Sequence, residues 1–288
     1  MSRRGWAHSL HLKWPWFSFE GPNPISPGLL KPDILAPGFE GLGAVSPIIP
    51  YMQVGKYDLA SDYAVMSGTS MSAPHVAGVG ALLKTLHPEW SPAAIRSAIM
   101  TIVYAKDNTG TILKDQWTGL SGTPLQFGAG HINPNQAMDP GLIYDTVFQD
   151  YIEFLCGLGY TKSQISLVIK RTQSSCSQKP INDLNYPTFM AIFSNKTRYP
   201  VAQNFSRVVT NVGNDDNTVY RAHLENVPIG MKIKVVPETL TFTRKYHKQG
   251  FVLSIEIDRE IQMVIYAFLK WIDQHDHIVS SPIVAINF

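Results

Sequence analysis

The chain has 288 residues, 44% hydrophobic and 16% charged, which is enough apolar matter for a sizeable core in one large or two ordinary domains and excludes intrinsic disorder. Lys and Arg number 24 against 22 Asp and Glu, and a net charge of +2 advertises neither a nucleic-acid nor an anionic-membrane partner. No run of ~18 apolar residues predicts a transmembrane helix. After Arg3-Arg4, the stretch from Trp6 to Pro15 is interrupted by His8, His11 and Lys13, so it does not read as a signal peptide.

Residues 1–16 have no period and remain unassigned. From Phe17 to Gly38 the chain is dense in turn signals: Gly21-Pro22, Asn23-Pro24, Ser26-Pro27-Gly28, Lys31-Pro32 and Ala36-Pro37-Gly38. The apolar piece Ile34-Leu35-Ala36 among them reads as a short buried strand. Across 73–83 only His75 is polar, and Pro74 suits a first helical turn. An all-apolar helix headed by Gly68-Thr69-Ser70 belongs in the middle of a protein. Ser91-Pro92 opens a second helix, capped by Ser91, with Ala94, Ile95, Ala98 and Ile99 facing the core. Phe127 to Gly130 and Asn133-Pro134 read as loop, and Tyr151–Leu155 and Lys162–Ile169 as two short helices.

Beyond about residue 180 the pattern changes. Phe251, Leu253, Ile255 and Ile257 alternate with other residues, as in a half-buried strand. Arg207–Thr210, Thr218–Leu224, Met231–Val236, Ile265–Trp271 and Ile278–Ile286 are further strands, with a hairpin turn over Asp273–His277 in which His275-Asp276-His277 reads as a wet turn and not a metal site. Short strands at even spacing predict a β-sandwich.

Cys156 and Cys176, 20 positions apart, either bridge or remain separate thiols. The sequons at Asn195 and Asn204 favour an oxidising, secretory setting.

Ser70 has two chemical roles open to it. At the head of a helix its side chain can cap the first turn. The same place suits a nucleophile, because free backbone N–H groups and the helix dipole favour a developing oxyanion. The Gly-x-Ser-x-Gly elbow of α/β-hydrolases is not matched, since Ser72 occupies its fifth position.

The run Gly68-Thr69-Ser70-Met71-Ser72-Ala73-Pro74-His75-Val76-Ala77-Gly78 resembles the serine box of the subtilisin-like serine proteases, or subtilases. Lys31 to Gly38 resembles the strand and loop before that box, and Ser91 to Thr101 and Phe127 to Pro134 resemble the end of the catalytic domain in plant members. Asp183-Leu184-Asn185-Tyr186-Pro187 and Arg207 to Gly213 resemble their fibronectin type III-like domain. The resemblance implies an α/β fold, the C-terminal part of a parallel-sheet catalytic domain over 17–146, then a helical, disulfide-bearing connector over 147–182 and an all-β sandwich over 183–288. It implies Ser70 as the catalytic nucleophile of a peptide-bond hydrolase acting on peptide or protein substrates, with no cofactor, no metal, no nucleic acid and no membrane, in an extracellular setting. It specifies no oligomeric state.

The same family pairs its serine with an Asp-Thr/Ser-Gly box and a His-Gly-Thr-His box upstream. None of the nine histidines here precedes a glycine, and Asp33, Asp58 and Asp62 open no Asp-Thr-Gly. His75, Asp33, His131 and the His275–His277 pair read as structural. The family's Ser-Ser-Arg-Gly-Pro stands here as Ser18-Phe19-Glu20-Gly21-Pro22, a charge reversal. The expectation is a subtilase chain lacking its base and orienter and inactive by itself, with the apolar face around Val76, Val79 and Leu83 uncovered. The alternative is a non-catalytic interaction protein or a non-functional truncated product.

Overall fold

A computed structural model describes residues 13–15, 18–107, 109–116, 118–171, 176–177, 183–194, 196–215, 217–261, 264–275 and 277–287. The first part comprises β1 (Lys13–Trp14), β2 (Gly41–Ala44), β3 (Met52–Val54), β4 (Tyr57–Leu59), β5 (Tyr63–Met66), α1 (Thr69–Leu86), α2 (Pro92–Thr101), β6 (Val103–Tyr104), β7 (Lys114–Asp115), α3 (Pro124–Phe127), β8 (His131–Ile132), α4 (Pro134–Ala137), β9 (Leu142–Ile143), α5 (Phe148–Gly157) and α6 (Lys162–Ile169). The second comprises β10 (Phe189–Phe193), β11 (Val201–Asn211), β12 (Thr218–Glu225), β13 (Met231–Val236), β14 (Thr239–Phe242), β15 (Lys248–Ile257), β16 (Ile265–Ile272) and β17 (Ile278–Asn287).

α2 forms where its cap and period place it. Ser91 Oγ accepts the Ala94 N–H at 3.0 Å and Pro92 fills the first helical position. Ala94, Ala98 and Ile99 are buried as expected, and so are Ala93, Ser97, Met100 and Thr101, so the helix is enclosed on most sides. Its buried hydroxyls are satisfied: Ser97 accepts from the Tyr144 N–H and Thr101 donates to the Ser97 carbonyl.

α1 departs from the expectation of a buried helix. Val79 and Leu83 are 8% and 1% exposed against α2 and Trp90, whereas Leu82 and Leu86 are 62% and 54% exposed. Among the described residues α1 packs along one side only, so an all-apolar composition leaves the remaining faces open. The uncovered face is therefore that of Leu82 and Leu86, not that of Val79 and Leu83. The expected strand at Ile34–Ala36 shrinks to one parallel bridge, Leu35 to His131, and all three residues are half-buried.

The sandwich has a five-stranded sheet, β10-β17-β16-β12-β14, over a four-stranded one, β13-β15-β11-β9. Phe251, Leu253, Ile255 and Ile257 of β15 point inward with Phe205 and Val209 of β11 and Trp271 of β16. β11 runs ten residues in register with β15, from Val201 opposite Ile257 to Thr210 opposite Lys248, longer than its sequence indicated. β10 escapes an alternation test because it is buried on both faces. Phe189, Ala191 and Phe193 enter the sandwich core, while Met190 packs on Leu30 and Leu125 of the first part. β9, short and early in the chain, also joins the sandwich, with Leu142 opposite Asn211 and Ile143 opposite Thr210.

Arg207 lies buried within this sheet. Its Nε and Nη2 donate to the Tyr186 and Thr188 carbonyls at 2.9 and 3.0 Å, and its guanidinium stacks over Phe189. Burial holds its pKa down at about 10, which still leaves it charged. The Asp273–His277 turn forms as expected, with His275 exposed and His277 half-buried, while Asp273 is buried and organises it.

Candidate active site

Ser70 occupies the first turn of α1 and is exposed. The cap position is Gly68, with no side-chain cap, so neither Thr69 nor Ser70 serves as the capping residue. Among the described residues the Ser70 hydroxyl has no hydrogen-bond partner, and the first turn of α1 holds no acidic side chain. Helix geometry leaves the amides of this turn without i−4 acceptors and gives the end partial positive charge.

The segment Ala36–Gly38 fixes this helix end. Gly68 N–H donates to the Gly38 carbonyl at 2.8 Å, and Ser72 Oγ donates to the Ala36 carbonyl at 3.0 Å. These two anchors flank Ser70 in sequence. Gly38 is required by the close approach, since a Cβ there would sit 2.0 Å from Ser72 Oγ and 2.8 Å from the Gly68 carbonyl oxygen. Farther out, Ser67 Oγ accepts the Glu40 N–H at 2.8 Å.

Asp33 anchors the other end of the same segment. Its Oδ1 receives the Tyr186 hydroxyl and lies 2.5 Å from Lys31 Nζ. The Tyr186 ring carries the Arg96 guanidinium at 4.7 Å. Burial, with the Asp33 charge beside it, pushes the Tyr186 phenol far above its ordinary pKa, so it stays a donor. This link ties the sandwich side of the chain to the segment that seats α1. Sequence reading missed it, and the signal available was only that Asp33 and Tyr186 both fall within the quoted motifs.

The histidines lie elsewhere. His75 donates through Nδ1 to the Met71 carbonyl one turn back, at 2.8 Å. His131 on β8 bonds the Ile132 carbonyl, and burial lowers its pKa. His275 and His277 sit on the β16–β17 turn. Among the described residues no group of three or more His, Cys, Asp or Glu side chains is placed to hold a metal ion.

Beginning one turn beyond Ser70, a groove of about 650 Å³ runs between α1 and α2, lined by Ile34, Val76, Ile95, Ile99 and Met100 with Asp33 and Arg96 at its edge. At the connector, Cys156 near the end of α5 is bonded to Cys176, with Cα atoms 6.0 Å apart. Beside the bridge, the Ser177 N–H donates to the buried Glu153 carboxylate at 2.8 Å. Asn204 is exposed on β11 opposite Ser254, and Asn195 lies outside the described residues, as do residues 1–12 and Asp276. No described helix is long and apolar enough to cross a membrane.

Residues 14–130 match the family model described as "Subtilase family", and residues 183–285 match "Fibronectin type-III domain". Similar proteins include subtilisin-like protease SBT3 of Solanum lycopersicum, 44% identical over 271 residues, covering 93% of this chain and 35% of that protein. Subtilisin-like proteases SBT1.6 and SBT1.5 of Arabidopsis thaliana are 40% and 39% identical, over 93% and 94% of this chain and 36% of each of those proteins. The chain thus spans about a third of the length of the curated relatives it matches.

Proposed function

From a chain that belongs to the subtilase family over residues 14–130 and carries a fibronectin type-III domain over 183–285, we propose that Ser70 is the nucleophile of a serine endopeptidase centre. In that chemistry the Ser70 hydroxyl adds to the carbonyl carbon of a peptide bond while a base takes its proton. The C–N bond then breaks, the departing amine takes the proton, and water hydrolyses the ester left on Ser70. On this reading the Ser70 backbone N–H, at the positive end of α1, donates to the carbonyl oxygen as it becomes charged. The observation that carries this reading is the exposed hydroxyl at the head of α1, without a hydrogen-bond partner among the described residues, within the serine-box motif.

The substrate class we propose is a peptide or protein in an extracellular setting. The Cys156–Cys176 bond and the exposed sequon at Asn204 support such a setting.

A second reading rests on a specific observation. No histidine in the sequence begins a His-Gly pair, and His75 is engaged with the Met71 carbonyl. Removing the base of subtilisin lowers kcat by about 10⁶. On this second reading, we propose that the 288 residues by themselves act as a non-catalytic interaction protein. A fluorophosphonate probe separates the two readings. Labelling at Ser70 that disappears in Ser70→Ala supports the nucleophile. Silence from a folded sample supports the interaction protein.

A further inference from the structure

The tip of the β16–β17 hairpin places one imidazole and two backbone amides around a buried carboxylate. Asp273, its side chain 2% exposed, accepts the backbone N–H of His275 and of His277 through Oδ1, each at 2.8 Å. Its Oδ2 lies 2.8 Å from His277 Nδ1, and Tyr220 on β12 lines the same small cavity. A carboxylate surrounded by donors can only accept, so His277 Nδ1 carries a proton in either charge state. Its Nε2 then bears hydrogen only when the ring is charged.

That Nε2 faces a different part of the chain. It lies 3.6 Å from Oδ2 of Asp139, between α4 and β9, just ahead of the first strand that the chain contributes to the sandwich. The passage is closely fitted. Gly141 has φ +71°, and a Cβ there would stand 2.3 Å from the Tyr220 hydroxyl. Its carbonyl accepts the Val212 N–H at 2.8 Å. On the other side of the turn, His275 Nε2 stands 3.6 Å from Asp215 Oδ2 in the β11–β12 loop. Asp139, Asp215, Thr218, Tyr220, Asp273 and His277 share a small cavity of about 200 Å³.

We propose that His277 is a proton-operated latch between the β16–β17 turn and the Asp139–Leu142 passage. Charged, the imidazolium is ion-paired with Asp139 across this 3.6 Å gap. Neutral, it presents a lone pair to that carboxylate and the contact turns repulsive. The titratable groups facing His277 among the described residues are Asp273 on its own turn, Asp139 on the passage, Asp215 on the β11–β12 loop and Tyr220 on β12. Lys270, in the cavity on its other side, is held by Glu225. Desolvation pulls the His277 pKa down, but the carboxylates outweigh it and the net shift is upward. With the folded pKa above the unfolded one, the latch is closed below about pH 6.5 and opens as pH rises through the folded pKa.

The test is an NMR titration of the His277 ring in the full chain, wild type against Asp139→Asn, with amide exchange of residues 138–143 followed at about pH 5.5 and 7.5 after correction for intrinsic rates. The Asp139 side chain is largely exposed, so this substitution leaves the core intact. The latch predicts a His277 midpoint lower by about half a unit in Asp139→Asn, and roughly two- to fivefold extra protection at the lower pH in wild type only. An unchanged midpoint, or the same pH dependence of exchange in both proteins, overturns it.

Discussion

Gly38→Ala is the most direct probe of how the helix end bearing Ser70 is held. The new Cβ would stand 2.0 Å from Ser72 Oγ, where ordinary contact begins at 3.4 Å. Ser72 must therefore swing away and give up its bond to the Ala36 carbonyl, a loss of about 1 kcal/mol. The Gly68 carbonyl oxygen, 2.8 Å from the same Cβ, is backbone and cannot rotate aside. Shifting it adds an overpacking cost of roughly 1–3 kcal/mol. Against this, alanine restricts the unfolded chain and returns about 0.4–1 kcal/mol. The net local destabilisation is about 1–3 kcal/mol, or roughly 5- to 150-fold more frequent opening. Hydrogen exchange at the Gly68 and Met71 amides, which bond to the Gly38 and Gly68 carbonyls, reads it directly. Gly43→Ala on β2 is the control, because a Cβ there meets nothing within 4 Å. If Gly38→Ala and Gly43→Ala give the same exchange, the Ala36–Gly38 segment does not hold the head of α1.

Three further outcomes are expected. Ser91→Ala removes both the cap to the Ala94 N–H and a 2.6 Å bond to Asp145, and should lower stability by about 1–2 kcal/mol in urea denaturation. Replacing both Cys156 and Cys176 with serine frees a closed loop of 20 positions and should cost about 3 kcal/mol, read as lost protection in α5; an intact mass that does not rise by about 2 Da when the wild type is reduced would reject the bridge itself. Burial depresses the His131 pKa, so the unfolded chain takes up a proton that the folded chain resists. That stability is complete above the unfolded pKa of about 6.5 and falls as pH drops through it towards the folded value, and His131→Asn should flatten this part of the pH–stability curve.

The two histidine effects have opposite signs for one reason, the company each ring keeps. His131 gains burial and a single carbonyl acceptor, which disfavours its charge. His277 gains carboxylates from three elements, which favour it. The sequence reads both as structural histidines of a loop or turn, and only the packing separates them.

Much of this protein is local, and the local part is legible. Ser91-Pro92 starts a helix because a hydroxyl and a ring suit its first turn, and the alternation from Phe251 to Ile257 fixes which side of β15 is buried, since successive side chains point to opposite faces. The serine-box residues are contiguous and can be read without any fold. What tertiary structure decided is whatever depends on a second segment. α1 looked buried because its composition is apolar, but burial is a property of neighbours, and the described chain covers only the side of Val79 and Leu83. β10 lacks alternation because both its faces are covered, one by the sandwich and one by Leu30 and Leu125. The Asp33–Tyr186 link, the need for glycine at position 38 and the meeting of His277 with Asp139 each join residues far apart in the chain. Periodicity and capping act over a few residues. These contacts form only when sheets and helices close on one another, so no short window of sequence contains them.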